Sequence, residues 1–203
     1  HHRQKVFSIP KNLFFSSFPL KNGKWEKEGG SFLTGKTIGI IGCGHIGADL
    51  IYLLQPFNCR IMICDILDKS GIVDTYGATQ VSMDELLAEA DVVSLHVPLT
   101  ELTQSMVTEE FLQKMKPNAY LINNSRGPVV NQKALKNALQ EKIIAGAALD
   151  VFEVEPPIGK DFVNMENVFV TPHIGGSTEE AILAMGMAAI EGLENAKDPL
   201  EFL

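Results

Sequence analysis

Six residues, Gly42-Cys43-Gly44-His45-Ile46-Gly47, constrain the fold of this chain more than any other stretch. An apolar run, Thr37 to Ile41, leads into them, and Ile46, Leu50, Leu53, Leu54 and Phe57 then recur at helical spacing. A second apolar run, Ile61 to Cys64, ends at Asp65. A strand, a G-x-G-x-x-G turn, a helix and an acid closing the next strand together make a dinucleotide-binding pattern. Gly42 permits the tight turn, Gly44 lets backbone N–H groups approach a pyrophosphate, and Gly47 lets helix and strand pack closely. Asp65 stands where the pattern wants a carboxylate for the adenosine ribose. An acid there would repel a 2′-phosphate, so the expected cofactor is NAD rather than NADP. The alternative is a glycine-rich turn needed only for packing, and the flanking elements argue against it.

The remainder alternates in the same way. Strand-like apolar runs occur at 37–41, 60–64, 91–97, 119–123, 144–149 and 167–171, with helical patterns between them. Ser82 and Ser177, each followed three residues later by glutamate (Glu85 and Glu180), fit capping boxes, and Thr108 and Asn131 are plausible caps. Strand and helix in alternation predict an α/β fold with a doubly wound parallel sheet of the Rossmann type. A last helix, from Thr178, is expected to carry an apolar face through Ile182, Met185, Ala189 and Leu193. The expected divisions are an aromatic-rich arm at 1–34, a dinucleotide domain at 35–177 and a C-terminal helix and tail at 178–203. His1 and His2 have the look of a tag remnant. The arm holds Phe7, Phe14, Phe15, Phe18, Phe32 and the only tryptophan, Trp25. So many aromatics in so short a segment suggest packing on something else, and a dimer partner is the preferred reading.

Bulk properties narrow the classes. A net charge of −8 argues against nucleic acid as a partner, and no apolar run approaches a membrane span. Cys43, Cys59 and Cys64 lack metal-ligand spacing, so no metal is expected, and they read as reduced thiols of a cytoplasmic protein.

Conspicuous polar residues fall where the strand-like runs end: Asp65, His96 and Pro98, Ser125 and Arg126, Asp150 and Glu155, and His173. In an open parallel sheet these ends share one edge, and ligands bind there. Arg126, in Asn123-Asn124-Ser125-Arg126-Gly127, can grip a carboxylate through two parallel hydrogen bonds. His173, between Pro172 and Ile174-Gly175-Gly176, is a candidate proton carrier if a carboxylate orients it. Glu155 and Glu153 compete for that role. His96 and His45 read as wall and turn residues beside the cofactor.

These stretches, with Leu95-His96-Val97-Pro98-Leu99-Thr100, Asp150 to Pro157 and Pro172 to Thr178, resemble the D-isomer-specific 2-hydroxyacid dehydrogenases over roughly residues 20–190. Within that family, Pro172 to Ala181 looks most like phosphoglycerate dehydrogenases, and hydroxypyruvate and glyoxylate reductases share much of it. The resemblance implies hydride transfer between the nicotinamide of NAD and C2 of a small 2-hydroxy or 2-oxo acid. It implies that Arg126 binds the substrate carboxylate, that His173 is the acid/base and that Glu155 pairs with it. It also implies cofactor contacts at His45, Ile46, Asp65, Val97, Pro98, Asn124, Ser125, Arg126, Asp150, His173, Gly175 and Gly176. Asn124 and Asn131 depart from the family pattern, which usually has threonine or alanine at the first and an acid at the second. The family's substrate domain is absent from the chain, which therefore resembles a coenzyme domain with its dimer arm and is expected to turn over little by itself. The competing reading from another class is a non-catalytic NAD(H)-binding sensor.

Overall fold

The computed structural model describes residues 20–25 and 30–194. Seven strands, β1 (Thr37–Ile41), β2 (Arg60–Cys64), β3 (Thr79–Gln80), β4 (Val92–Leu95), β5 (Tyr120–Asn123), β6 (Gly146–Leu149) and β7 (Val168–Val170), form one sheet. Their order is β3-β2-β1-β4-β5-β6-β7, and every pairing is parallel. The six expected runs are all strands, shortened by a residue or two at some ends. The seventh, β3, is a correction: it has only two residues, too few for an apolar pattern, and pairs Thr79 and Gln80 with Met62 and Ile63.

Helices α1 (His45–Leu54), α2 (Ser70–Tyr76), α3 (Met83–Glu89), α4 (Glu109–Gln113), α5 (Gln132–Gln140) and α6 (Glu179–Glu194) complete the fold. The first five link the parallel strands, which need a crossover connection and cannot be joined by a tight turn. Two apolar clusters lie on opposite faces of the sheet. Met62, Leu121 and Ala147 belong to one, and their chain neighbours Ile63, Ile122 and Ala148 to the other. That two-residue period, with both faces covered, is why the strands read as unbroken apolar runs.

Helix starts follow the capping chemistry in three of four places. Ser82 Oγ accepts from the N–H of Glu85, Thr108 Oγ1 from Phe111 and Asn131 Oδ1 from Ala134. The fourth is corrected by one residue: Thr178, not Ser177, caps α6, its Oγ1 accepting from the N–H of Ala181. The apolar face of α1 also differs. Gly47, Leu50, Ile51 and Leu54 are buried, whereas Ile46 is 49% exposed. Gly47 sets this rotation, because a β-carbon there would lie 2.5 Å from the carbonyl oxygen of Gly42. Along α6, Ile182, Met185 and Leu193 are all exposed, so no described residue covers that face. Trp25 and Phe32 of the arm are exposed too; Phe7, Phe14, Phe15 and Phe18 lie outside the described residues.

Candidate active site at the carboxyl edge of the sheet

Strand order alone brings the polar residues to one edge. The order in which strands are added reverses between β1 and β4, so the turn after β1 and the segment after β4 flank the crevice where dinucleotides bind. Gly42 has φ +86°, and a β-carbon on it would meet the carbonyl oxygen of His96 at 2.7 Å and Val97 Cγ1 at 2.8 Å. The turn is therefore pressed against β4's continuation on one side. On the other side it is open: nothing lies within 4 Å of where a Gly44 β-carbon would be. Gly44 is also the N-cap of α1 and has no side chain to satisfy the helix's first N–H groups. His45 and Ile46 are exposed beside it. A close-packed turn, an open second glycine and uncapped helix N–H groups fit a pyrophosphate. Cys43 faces inward, and burial, with Asp65 adding to it against the opposing Lys69, pushes its thiol up, which makes it a poor nucleophile.

Asp65 closes the turn from β2. One carboxylate oxygen accepts from the N–H of Cys43 at 2.7 Å, the other from Leu67 at 2.9 Å, and Lys69 Nζ stands 3.5 Å away. Burial works to raise its pKa, but the two N–H donors and Lys69 outweigh that and hold the carboxyl below its ordinary range. His96, at the end of β4, has its Nε2 on the buried hydroxyl of Ser94 at 2.9 Å, a wall position. Val97 is half-buried against the turn and Pro98 is exposed at the rim.

At the other end of the edge, β5, β6 and β7 lie side by side, with Asn123 opposite Leu149 and Leu149 opposite Val170. Buried Asn123 builds the first loop. Its Oδ1 accepts from the N–H and hydroxyl of Ser125, and its Nδ2 donates to the carbonyl of Arg126. Asn124 and Ser125 are half-buried, and Arg126 is exposed with Nη1 on the Ser125 carbonyl at 2.7 Å. A guanidinium has five N–H donors, so most remain for an incoming carboxylate.

After β6, buried Asp150 acts as a clamp on the loop after β7. Its Oδ1 accepts from the hydroxyl of Thr171 and the N–H of Ile174, its Oδ2 from the N–H of Gly175 at 2.8 Å, and its carbonyl from the N–H of His173. This holds His173 at φ +50°, a left-handed conformation a non-glycine residue takes only under surrounding constraint. The result is that Nδ1 of His173 meets Glu155 Oε2 at 2.7 Å. Glu155 Oε1 in turn accepts from the N–H of Phe152. Burial tends to raise the pKa of Glu155, but the hydrogen bond from His173, that from Phe152 and the imidazole's charge more than offset it. An ionised carboxylate only accepts, so Nδ1 carries the hydrogen and Nε2 points away from Glu155. Glu153 is exposed and does not make this contact. Gly175 and Gly176 are exposed beside the imidazole loop.

The structure thus assembles two groups: the glycine turn with Asp65 and Val97, and the Arg126 loop with Asp150, Glu155 and His173. Asn123, Thr171, Lys69 and Gln80 also shape them and were not singled out from sequence as site residues; Asn123 alone carried a signal, as the first polar residue after an apolar run. A cavity of about 500 Å³ lined by Leu139, Ile144 and Met165 lies at the opposite edge, before β6 and β7, away from these groups. Among the described residues no helix is long and apolar enough to cross a membrane, and no cluster of His, Cys, Asp or Glu is placed to hold a metal.

Comparison with known proteins agrees with the fold. The model of the D-isomer specific 2-hydroxyacid dehydrogenase, NAD binding domain, matches residues 5–175. A glyoxylate reductase of Pyrococcus furiosus is 44% identical over 175 residues, 82% of this chain and 52% of its own length. A D-3-phosphoglycerate dehydrogenase of Methanocaldococcus jannaschii is 38% identical over 192 residues, 93% of this chain and 37% of its own length. The crystal structure of D-lactate dehydrogenase from Aquifex aeolicus, complexed with NAD and lactic acid, superposes with a TM-score of 0.86 at 29% identity, covering 95% of this chain and 64% of that one. The chain spans about half the length of the glyoxylate reductases it matches.

Proposed function

Because the chain belongs to the D-isomer-specific 2-hydroxyacid dehydrogenase family and is its NAD-binding domain, we propose that it is the coenzyme half of an enzyme reducing a small 2-oxo acid to the D-2-hydroxy acid. The observation that carries this is the Glu155–His173 pair, held by the Asp150 clamp on the same edge as the Arg126 loop. Gly42, Gly44, Gly47 and Asp65 would hold the adenosine and pyrophosphate, and Val97, Pro98, Asn124, Ser125, Asp150, Gly175 and Gly176 the rest. When bound, NAD supplies or accepts the hydride.

The protein's own groups do the remainder. Arg126 fixes the substrate carboxylate and so limits the poses open to the reacting carbon. His173 presents Nε2 to the carbonyl oxygen, donates its proton as charge develops there, and takes it back in the reverse direction. Glu155 holds the ring by Nδ1, so that Nε2 is the nitrogen left to face the substrate. The half of the relatives' length that this chain does not match would supply the opposite wall of the substrate cleft, and the exposed face of α6 and the aromatic arm are suited to meet that domain and a second subunit in a homodimer.

Similarity to glyoxylate reductases makes glyoxylate and hydroxypyruvate at least as good substrates as a phosphorylated 3-carbon acid, which similarity to phosphoglycerate dehydrogenase keeps as the second reading. The test is NADH consumption by the full-length protein against glyoxylate, hydroxypyruvate and 3-phosphohydroxypyruvate. Turnover of one of them is expected; NADH binding without turnover of any would favour the sensor.

A further inference from the structure

The loop that follows β2 is more constructed than a ribose-binding acid requires. Gln80 of β3 holds it from below: Oε1 accepts from the N–H of Lys69 at 2.8 Å, and Nε2 donates to the carbonyls of Leu67 at 2.8 Å and Asp65 at 3.4 Å. Lys69 is thereby fixed at the start of α2, and its ammonium lies 3.5 Å from Asp65 Oδ2 with only 16% of the side chain exposed. Asp68, the other acid of this loop, is turned to its own helix start, accepting from the N–H and hydroxyl of Ser70. The acid at the ribose end of the crevice therefore does not stand alone but forms a half-buried pair with a cation.

An isolated carboxylate at that strand end excludes NADP by repelling its 2′-phosphate. A lysine tied to the same carboxylate cancels most of that repulsion and offers the phosphate a partner of its own. We propose that Lys69 is a specificity-determining residue at the adenosine ribose, offsetting Asp65 so that the chain accepts NADPH alongside NADH. This rests on the dinucleotide reading of the crevice and is independent of the substrate and of the catalytic roles of Arg126, Glu155 and His173.

The test is direct titration of the protein with NADH and with NADPH, followed by nicotinamide fluorescence, so that no turnover is needed. In Lys69→Met the NADPH Kd should rise roughly tenfold, with NADH changed by no more than about twofold, since a lost ion pair acts on the charged 2′ group alone. Lys69→Arg should retain the parent's ratio of the two constants. Asp65→Asn, which leaves the lysine unopposed, should move that ratio toward NADPH. Thermal melts accompany each variant, and the arginine and asparagine variants keep the comparison decisive should the methionine variant fold poorly. If both constants change in parallel in Lys69→Met, or if the ratio is the same in all four proteins, Lys69 only packs the loop and the proposal is overturned. A parent protein that binds neither nucleotide overturns the cofactor reading and this proposal together, whereas a parent that binds NADH but reduces no 2-oxo acid leaves this proposal standing.

Discussion

A β-carbon on Gly127 would lie 1.7 Å from the carbonyl oxygen of Phe152 and 2.7 Å from the backbone nitrogen of Glu153. The loop that carries Arg126 and the loop that carries Glu155 therefore pack backbone on backbone, and from Phe152 the contact runs through Glu155 to His173. Neither obstructing group is a side chain that can swing aside. Gly127→Ala must displace one loop, at the cost of overpacking a filled site, about 1–3 kcal/mol or more. Urea unfolding should show a lower midpoint with an unchanged slope. An unaltered midpoint would mean that the two loops are not in register as described.

Glu155 and Glu153 are two residues apart, yet only Glu155 meets the imidazole. In the full-length enzyme Glu155→Gln should lower turnover by roughly 10²-fold, the low end for a group serving acid–base chemistry. Glu153→Gln should leave turnover within about twofold. Because the folded-state pKa of Glu155 is depressed, the pair is intact above the unfolded glutamate value of about 4.3 and is lost as pH falls from there through the lower folded value. Acid loss of activity above about pH 5 must then come from another group. Equal turnover in the two glutamine variants would remove Glu155 from the site.

His173→Ala separates binding from chemistry. NADH affinity of the full-length enzyme should stay within a few-fold while turnover falls by about 10²–10⁴-fold. Fluorescence titration and steady-state rates on one preparation measure both. Parent-like turnover would exclude His173 as the acid/base.

Asp91, at the entry to β4, tests the electrostatics of the fold apart from the site. Its carboxylate accepts from the N–H of Thr37 at 2.9 Å and from Lys116 Nζ at 3.1 Å. Burial pushes its pKa up, but those two bonds and the charges of Lys116 and Lys36 outweigh it and leave the carboxyl below its ordinary range. A carboxyl depressed by folding stabilises the protein above its unfolded pKa of about 3.9, and that contribution disappears as pH drops through the folded value. Asp91→Asn should therefore unfold more easily than the parent at pH 7, with the gap narrowing below about pH 4. A gap of constant size from neutral to acid pH would assign the effect to packing instead of ionisation.

The parallel sheet and the position of each polar loop were legible because the runs that mark them rest on local periodicity. Residues buried on two faces give apolar runs, and in a parallel sheet every run ends at the same edge. What escaped depends on tertiary contact. Two-residue β3 has no period to detect, yet its Gln80 fixes the loop of Asp65 and Lys69. Ile46 matched the helical spacing but is turned outward by the contact of Gly47 with Gly42. Ser177 and Thr178 are both good caps, and only the helix register decides between them. Likewise, residue types alone left Glu153 and Glu155 equivalent; the clamp on the His173 loop distinguishes them.

That clamp gives the sharpest structural test. Asp150 is 1% exposed and its two oxygens accept from the hydroxyl of Thr171 and the N–H groups of Ile174 and Gly175. In Asp150→Asn one oxygen becomes an NH₂ group, which sets donor against donor in a buried place. The cost should be about 1–3 kcal/mol, the penalty for a buried N–H left without an acceptor. It should fall locally, because β6 and β7 keep their own ladder from Ala147–Val168 to Leu149–Val170. Hydrogen exchange at the amides of Ile174 and Gly175 should therefore accelerate by roughly tenfold or more, while amides of β6 retain parent protection. The left-handed turn at His173 would relax with the loop, so turnover of the full-length enzyme should fall with it. Parent-like protection at Ile174 and Gly175 would show that Asp150 does not hold the loop, and the placement of His173 against Glu155 would need another cause.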